Sequence, residues 1–138
     1  MRTIVIPTLA ALFTLGCQNN DWRTTDKVEV IREAKSPDGK HVATVFSCSG
    51  GGAAGYTYTN VNLRNAAEDF NQRDFLLGKH NWNSFADIEV RWKDPKNLEV
   101  SYRWLGDNPD HKKMNNQTVP ERGGVRVLYV LKEDVPMP

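Results

Sequence analysis

Two stretches in the second half of the chain alternate between apolar and polar residues. A period of two with one apolar face predicts neighbouring strands of a half-buried antiparallel sheet, and Asp94–Asn97 between them is a turn sequence. A slip of one residue would turn both tryptophans into water, so we expect a firm register. The apolar positions are Ile88, Val90 and Trp92, then Leu98, Val100, Tyr102 and Trp104; the solvated, cross-pairing positions are Asp87, Glu89, Arg91, Glu99 and Arg103.

Strand-like runs also surround a strong turn signal near the start of the domain. Val28–Ile31 and His41–Phe46 are rich in β-branched residues, and Ser36-Pro37-Asp38-Gly39-Lys40 between them predicts a hairpin. Further strands are predicted at Tyr56–Leu63 and Phe75–Leu77.

The last third of the chain combines a long polar stretch with an apolar one. Gly106–Gly124 is predicted to be a functional or mobile loop. Val125–Leu131 is apolar on both faces at most positions, so we expect a central strand. About seven strands with little helix predict an all-β fold, a small antiparallel sandwich or curled sheet. We expect one domain over residues 28–134 and a tail at 135–138.

Composition narrows the class of protein. The chain has 138 residues, of which 39% are hydrophobic and 25% charged, and this balance suits one globular domain. Its formal net charge is only +1. Because nucleic-acid-binding proteins usually carry a basic excess or stripe, we expect no nucleic-acid partner.

The first residues have the composition of an export signal. Arg2 precedes an apolar run at Ile4–Leu15, which Gly16 and Cys17 follow. The run is too short for a bilayer core, which needs about 20 residues. Polar residues come next, and we expect residues 17–27 to form a polar tether.

This ending resembles the lipobox of bacterial lipoproteins. The resemblance implies that residues 1–16 are removed as a signal peptide and that the Cys17 sulfur carries a diacylglycerol group. Two or more acyl chains bind a bilayer stably, so the domain would be membrane-anchored without a spanning segment. In a host with two membranes, Gln18 favours the periplasmic face of the outer membrane. The alternative is an ordinary signal peptide and a disulfide-bonded Cys17.

The second cysteine, Cys48, has no partner in the chain if Cys17 is lipidated. We expect a buried reduced thiol, because free cysteine packs as a small hydrophobe. No basic residue lies near Cys48 in sequence, so we expect no redox or nucleophilic role.

The segment after Cys48 is unusually rich in glycine. It is either a bulged or flexible β-connection, which we favour, or a protruding loop that contacts a partner. The stretch Ser49–Tyr56 also resembles the S-G-x-x-Y loop that lysozyme-inhibitor lipoproteins insert into an enzyme cleft. Trp82, flanked by asparagines, is either a plug at one end of the sheet or a platform for a glycan. The candidate partner-binding residues are Ser49, Gly50, Gly51, Gly52, Gly55, Tyr56 and Trp82, with the Gly106–Gly124 loop as a further contact region.

No catalytic pattern is evident in the sequence. The glycines lack the Lys-Ser/Thr pair of a phosphate-binding loop, and neither Ser47 nor Ser49 lies in a G-x-S-x-G elbow. His41, His80 and His111 are scattered without metal-ligand spacing. We therefore expect no catalytic residues, no metal and no cofactor.

The Ser36–Lys40 hairpin, the Gly-rich segment and the late I-x-V-x-W and L-x-V-x-Y pair resemble small bacterial envelope lipoproteins of an uncharacterised family. That resemblance implies a fold and a location, but no activity. We expect a non-enzymatic binding or structural role, with the membrane and another envelope protein as partners. The first alternative is an inhibitor or immunity-type lipoprotein that blocks an envelope hydrolase, and the second is a hydrolase.

Overall fold

The computed structural model describes residues 26–106 and 108–132, which form two β-sheets. No helix in these ranges is long and apolar enough to cross a membrane. The elements in chain order are β1 (Lys27–Lys35), β2 (His41–Gly50), β3 (Tyr56–Asn65), β4 (Phe85–Asp94), β5 (Asn97–Trp104), α1 (Pro109–Asn115), β6 (Glu121–Arg122) and β7 (Val125–Leu131).

The first sheet has the order β1-β2-β3, and the second has the order β4-β5-β7-β6. This arrangement confirms the predicted all-β, sandwich-like fold with little helix. One pair departs from a purely antiparallel sheet, because β7 runs parallel to β5. The crossover that carries α1 and β6 returns the chain to the end of the sheet where β5 began, and parallel neighbours require such a connection.

The hairpin between β1 and β2 confirms the turn prediction. The Gly39 N–H donates to the Ser36 carbonyl at 2.8 Å, and Gly39 adopts a φ of 71°, which glycine accepts without strain. The Ser36 hydroxyl donates to the Asp38 carboxylate at 2.6 Å. Together with the Lys40 N–H, this bond lowers the pKa of Asp38 below its ordinary value.

The two sheets bury their apolar faces against each other. Val45 and Val61 from the first sheet are at most 2% exposed, and Leu98 and Val100 from the second are fully buried. Burial alternates along β5, as the period of two predicts. β2 is instead buried on both faces, and its second face carries a separate small cluster that includes Phe46. The main core therefore lies between the sheets, as in a sandwich.

The β4–β5 hairpin has the two faces that the sequence predicts. Trp92 and Trp104 pack against the core but stay partly exposed at its rim. The Trp92 indole N–H donates to the Ala34 carbonyl of β1 at 2.9 Å, a bond that joins the two sheets. The outward side chains carry the ion pairs Arg91–Glu99, Lys93–Glu99, Arg103–Asp87 and Lys132–Glu89.

Buried asparagine side chains hold the connection between β3 and β4 against the first sheet. The Asn60 amide donates to the Leu77 carbonyl at 2.7 Å and accepts the Leu77 N–H at 3.0 Å. Asn62 donates to the carbonyls of Asn71 and Asp74. These amides satisfy backbone groups that have no strand partner, as buried polar groups require.

A third buried asparagine, Asn115, also satisfies backbone groups, from its position at the end of α1. Its carbonyl oxygen accepts the N–H groups of Lys79 and His80 at 2.9 Å and 2.7 Å, and its amide donates to Ser84. A Cβ on Gly78 would lie 2.7 Å from this oxygen, so the close approach requires glycine. Asn60, Asn62 and Asn115 are called the asparagine clamps below.

The prediction of a strand at Phe75–Leu77 is wrong. Only isolated bridges occur there, from Phe75 to Asn62 and from Leu77 to Thr118. The two ends of this short run pair with different segments, so no continuous ladder forms. The short strand β6 brings the number of strands in the described ranges to seven.

The prediction of a loop at Gly106–Gly124 is also wrong in part, because this segment contains α1 and β6. The Asn108 side chain accepts the N–H of Asp110 at 2.9 Å, and Pro109 begins the helix. Asparagine before proline is a known helix start, and the sequence therefore carried a signal for α1.

Strand β7 lies inside the second sheet, as predicted, but its second face is not buried. Leu128 and Val130 are 43% and 44% exposed. They lie on the outer face of the second sheet, whose other positions carry charged residues. The apolar residues of β7 therefore do not show that both faces of this strand are buried.

We expect Asn60→Ala to lower the free energy of unfolding by about 3 kcal/mol, because it leaves buried backbone groups of Leu77 unpaired. Urea unfolding followed by circular dichroism measures this change. Asn116→Ala, at an exposed position, is the matched control and should change stability by less than about 0.5 kcal/mol. Equal losses in the two variants would contradict the role given to Asn60.

Candidate functional site

The Gly-rich segment forms the turn between β2 and β3. Gly50 still pairs with Tyr56, and a single 3-10 turn at Gly52–Ala54 joins the strands. Gly51 and Gly52 have φ values of 84° and 60°, a left-handed conformation that favours glycine. The segment is thus a β-connection, as favoured from the sequence, and its tip is exposed.

Two of these glycines are required by crowding from one side. A Cβ on Gly50 would lie 2.1 Å from a carboxylate oxygen of Asp26, and a Cβ on Gly51 would lie 2.8 Å from the Tyr56 ring. Real Cβ atoms do not approach other atoms so closely, so each side chain occupies space that only glycine leaves open.

The Asp26 carboxylate connects the start of the domain to β2 and β3. One oxygen accepts the Tyr56 hydroxyl at 2.5 Å and the Cys48 thiol at 3.7 Å. Its other oxygen is buried without a hydrogen-bond partner. Because Asp26 makes these contacts and Lys27 already belongs to β1, both residues are part of the β-domain, although the sequence places them in the predicted tether of residues 17–27.

The Cys48 thiol is fully buried, as predicted, and lies beside Tyr58. Burial raises its pKa, and the neighbouring Asp26 carboxylate also disfavours the thiolate. Burial likewise raises the pKa of Tyr58. The cluster therefore holds a protonated, shielded thiol.

An open groove of about 510 Å³ lies beside the turn. Of the candidate partner-binding residues, Gly55, Tyr56 and Trp82 line it. No carboxylate, amine, guanidinium or imidazole is among its lining side chains in the described part of the chain. The lining, called the Tyr56–Trp82 groove below, consists of Gly55, Tyr56, Thr57, Asn81, Trp82 and Asn83.

The other candidates lie next to the groove without lining it. Ser49 pairs with Lys27 and Thr57 inside the first sheet. Gly50, Gly51 and Gly52 form the adjoining end of the hairpin. The structure therefore brings the predicted residues to one end of the molecule, although only some of them face the groove.

Trp82 contacts two histidines that are far apart in sequence. The His80 ring stacks on it with centroids 4.6 Å apart, and the His111 ring of α1 lies at 5.1 Å. Trp82 is half-buried and packs on these imidazoles. It belongs to neither of the two hydrophobic clusters found in the described part of the chain. It is therefore not a plug of the core, and sequence reasoning did not detect its histidine neighbours.

A charged pocket of about 310 Å³ adjoins the groove and shares Asn81 with it. Asp26 lines it together with Arg73 and Lys79. We call it the Asp26 pocket. The groove and this pocket form one end of the domain, with aromatic and amide groups on one side and basic groups on the other.

Another cavity, of about 410 Å³, lies at the opposite end of β2 beside His41. It contains both signs of charge, including Arg64, Glu68 and Arg122. Arg64 is already paired with Glu33 at 3.0 Å. None of the candidate partner-binding residues lines this cavity.

Within residues 26–106 and 108–132, no three His, Cys, Asp or Glu side chains are grouped so that they could hold a metal ion. No family model matches the chain, and neither a curated protein nor a solved structure matches it. Cys17, the predicted lipidation site, and the whole segment before Asp26 lie outside the described residues.

We expect the Cys48 thiol to react with a maleimide only when the domain unfolds, because it is buried and its raised pKa disfavours the thiolate. The measurement uses a Cys17→Ser variant, so that one thiol is counted, with and without urea. Fast labelling of the folded protein would contradict this environment.

We expect Gly50→Ala to destabilise the domain by about 2 kcal/mol, because the new methyl group must displace Asp26. In an Asp26→Ala background the same substitution should cost much less, since the crowding carboxylate is gone. Urea unfolding of the four variants of this cycle gives the coupling. A cost that is equal in both backgrounds would show that Asp26 is not the reason for glycine.

Proposed function

We propose that the protein is a lipid-anchored component of the bacterial cell envelope whose β-domain has a non-enzymatic binding role. The anchor is the diacylglycerol group on Cys17, and the domain binds through the Tyr56–Trp82 groove. In a host with two membranes, the expected location is the periplasmic face of the outer membrane. The partners are the membrane itself and a component of the envelope.

The observation that carries the binding role is the convergence of Tyr56 and Trp82 in one open groove. Partly exposed aromatic rings with amides beside them are typical of binding surfaces, because they offer apolar area and directed hydrogen bonds together. Asn81 and Asn83 supply those amides here.

Support for the anchor comes from the N-terminal sequence. A short apolar run that ends in Gly16-Cys17 and is followed by polar residues resembles the lipoprotein signal. The first described residue, Asp26, lies close to Cys17 in sequence, which suits a domain held near a bilayer.

One observation favours the inhibitor alternative. The turn at Gly51–Gly55 is exposed, uncharged and next to the groove, so it is accessible to the cleft of an enzyme. Affinity capture from envelope extracts separates the two proposals. A single hydrolase in a one-to-one complex, with loss of its activity, supports inhibition.

We expect cells that express the protein to incorporate radiolabelled palmitate into it, because the lipid is attached through Cys17. Cys17→Ser should abolish the label and move the protein into the soluble fraction. The matched control is Cys48→Ala, which should leave both the label and the membrane fraction unchanged. An unlabelled parent protein in the soluble fraction would refute the anchor.

A further inference from the structure

The end of the domain that carries the Tyr56–Trp82 groove is also the end at which the chain enters the domain. Asp26 accepts the Tyr56 hydroxyl and lies against Gly50. Lys27 pairs with Ser49 at the same end of β2. Asp26, the first described residue, therefore lies beside the groove.

The length of the segment that precedes Asp26 limits where the rest of the domain can be. The nine residue-to-residue steps from Cys17 to Asp26 can span at most about 30 Å. β2 has ten residues and is therefore about 30 Å long, so the Lys40 end of the domain lies that much farther from Asp26. A lipid on Cys17 therefore favours contact of the groove end with the bilayer, because the opposite end can reach it only when the connecting segment is fully extended.

The chemistry of this end suits the surface of a bilayer that contains anionic lipid. The Asp26 pocket and α1 together carry four basic side chains and two acidic ones. The Asp26 carboxylate already accepts bonds from Tyr56 and Cys48 within the protein. The basic side chains are Arg73, Lys79, Lys112 and Lys113, and the acidic ones are Asp26 and Asp110.

The surroundings of Trp82 favour a lipid interface over a sugar ring. A sugar stacks on an open ring face, but the His80 imidazole already occupies one face of Trp82 and His111 contacts the ring as well. Tryptophan at a membrane interface needs only a partly exposed ring near polar headgroups. The turn at Gly51–Gly55 is small and uncharged, so it can approach a bilayer without desolvating an ion.

We infer that the groove end of the domain rests on an anionic bilayer surface, with Tyr56 and Trp82 at the level of the headgroups and Lys79 facing lipid phosphates. This inference rests on the proposed lipid anchor and names the partner of the groove. It also assigns an orientation to the domain, with the Lys40 turn farthest from the membrane.

The experiment attaches the chain of residues 17–138 to vesicles by coupling Cys17 to a maleimide lipid, which the buried Cys48 does not compete for. Trp22→Phe removes the tryptophan nearest the coupling site. Brominated lipids then quench tryptophan fluorescence only near the bilayer. Vesicles are either phosphatidylcholine alone or phosphatidylcholine mixed with phosphatidylglycerol.

The expected result is quenching about twofold stronger on the anionic vesicles, which falls as salt is added. The excess quenching should disappear in Trp82→Phe, since Trp82 lines the groove, whereas Trp92 and Trp104 pack against the core and do not line it. Lys79→Glu should reduce the excess quenching on the anionic vesicles. Lys40→Glu makes the same charge change at the opposite end of β2 and is the matched control, which should leave the quenching unchanged.

Several outcomes would overturn the inference: no quenching that depends on Trp82, equal effects of Lys40→Glu and Lys79→Glu, or a response of Trp82 to soluble glycan fragments instead of vesicles. Circular dichroism shows that each variant is folded, and Lys79→Glu tests the inference even if Trp82→Phe is unstable. Because the lipid is coupled chemically, this result is independent of the palmitate experiment. Failure of the anchor in cells and failure of the docking are therefore distinguishable.

Discussion

The hydrogen bonds of the asparagine clamps are the constraint on which the arrangement of this molecule depends. The connection between β3 and β4 buries Leu76 and Leu77 without forming a continuous strand, so its backbone groups need other partners. Asn60, Asn62 and Asn115 supply them from buried positions. An unpaired buried group costs about 1–3 kcal/mol, which is a large part of the net stability of a domain. The clamps therefore give this connection a single favourable path.

That path produces the candidate site. Asn115 holds the N–H groups of Lys79 and His80, and these residues lead directly to Trp82. The same asparagine ends α1, which carries His111 to the Trp82 ring. On the other side of the groove, Asp26 and the glycines of the turn position Tyr56. A binding surface thus forms where two segments meet, each positioned by buried polar contacts, with apolar packing of Tyr56 against Tyr58 in addition.

Much of the fold could be predicted because its signals are local. The Ser36–Lys40 turn and the alternation in β4 and β5 follow from neighbouring residues, and the burial of Cys48 follows from its residue type. The run Phe75–Leu77 looked like a strand because its residue types suit one, but its partners are amide side chains and isolated bridges. Gly55, Tyr56 and Trp82 were each predicted as contact residues. Their meeting in one groove could not be predicted, because no sequence spacing relates the two segments.

The sequence by itself determined which residues alternate and where the tight turns lie, since each of these properties depends on adjacent positions. Only the tertiary structure decided the parallel direction of β7, the exposure of Leu128 and the contact of Trp82 with His80 and His111. The physical reason is that these features depend on which distant segments share a buried surface and satisfy each other's polar groups. Such pairings are settled by packing and hydrogen bonding in three dimensions, and they leave no periodic trace along the chain.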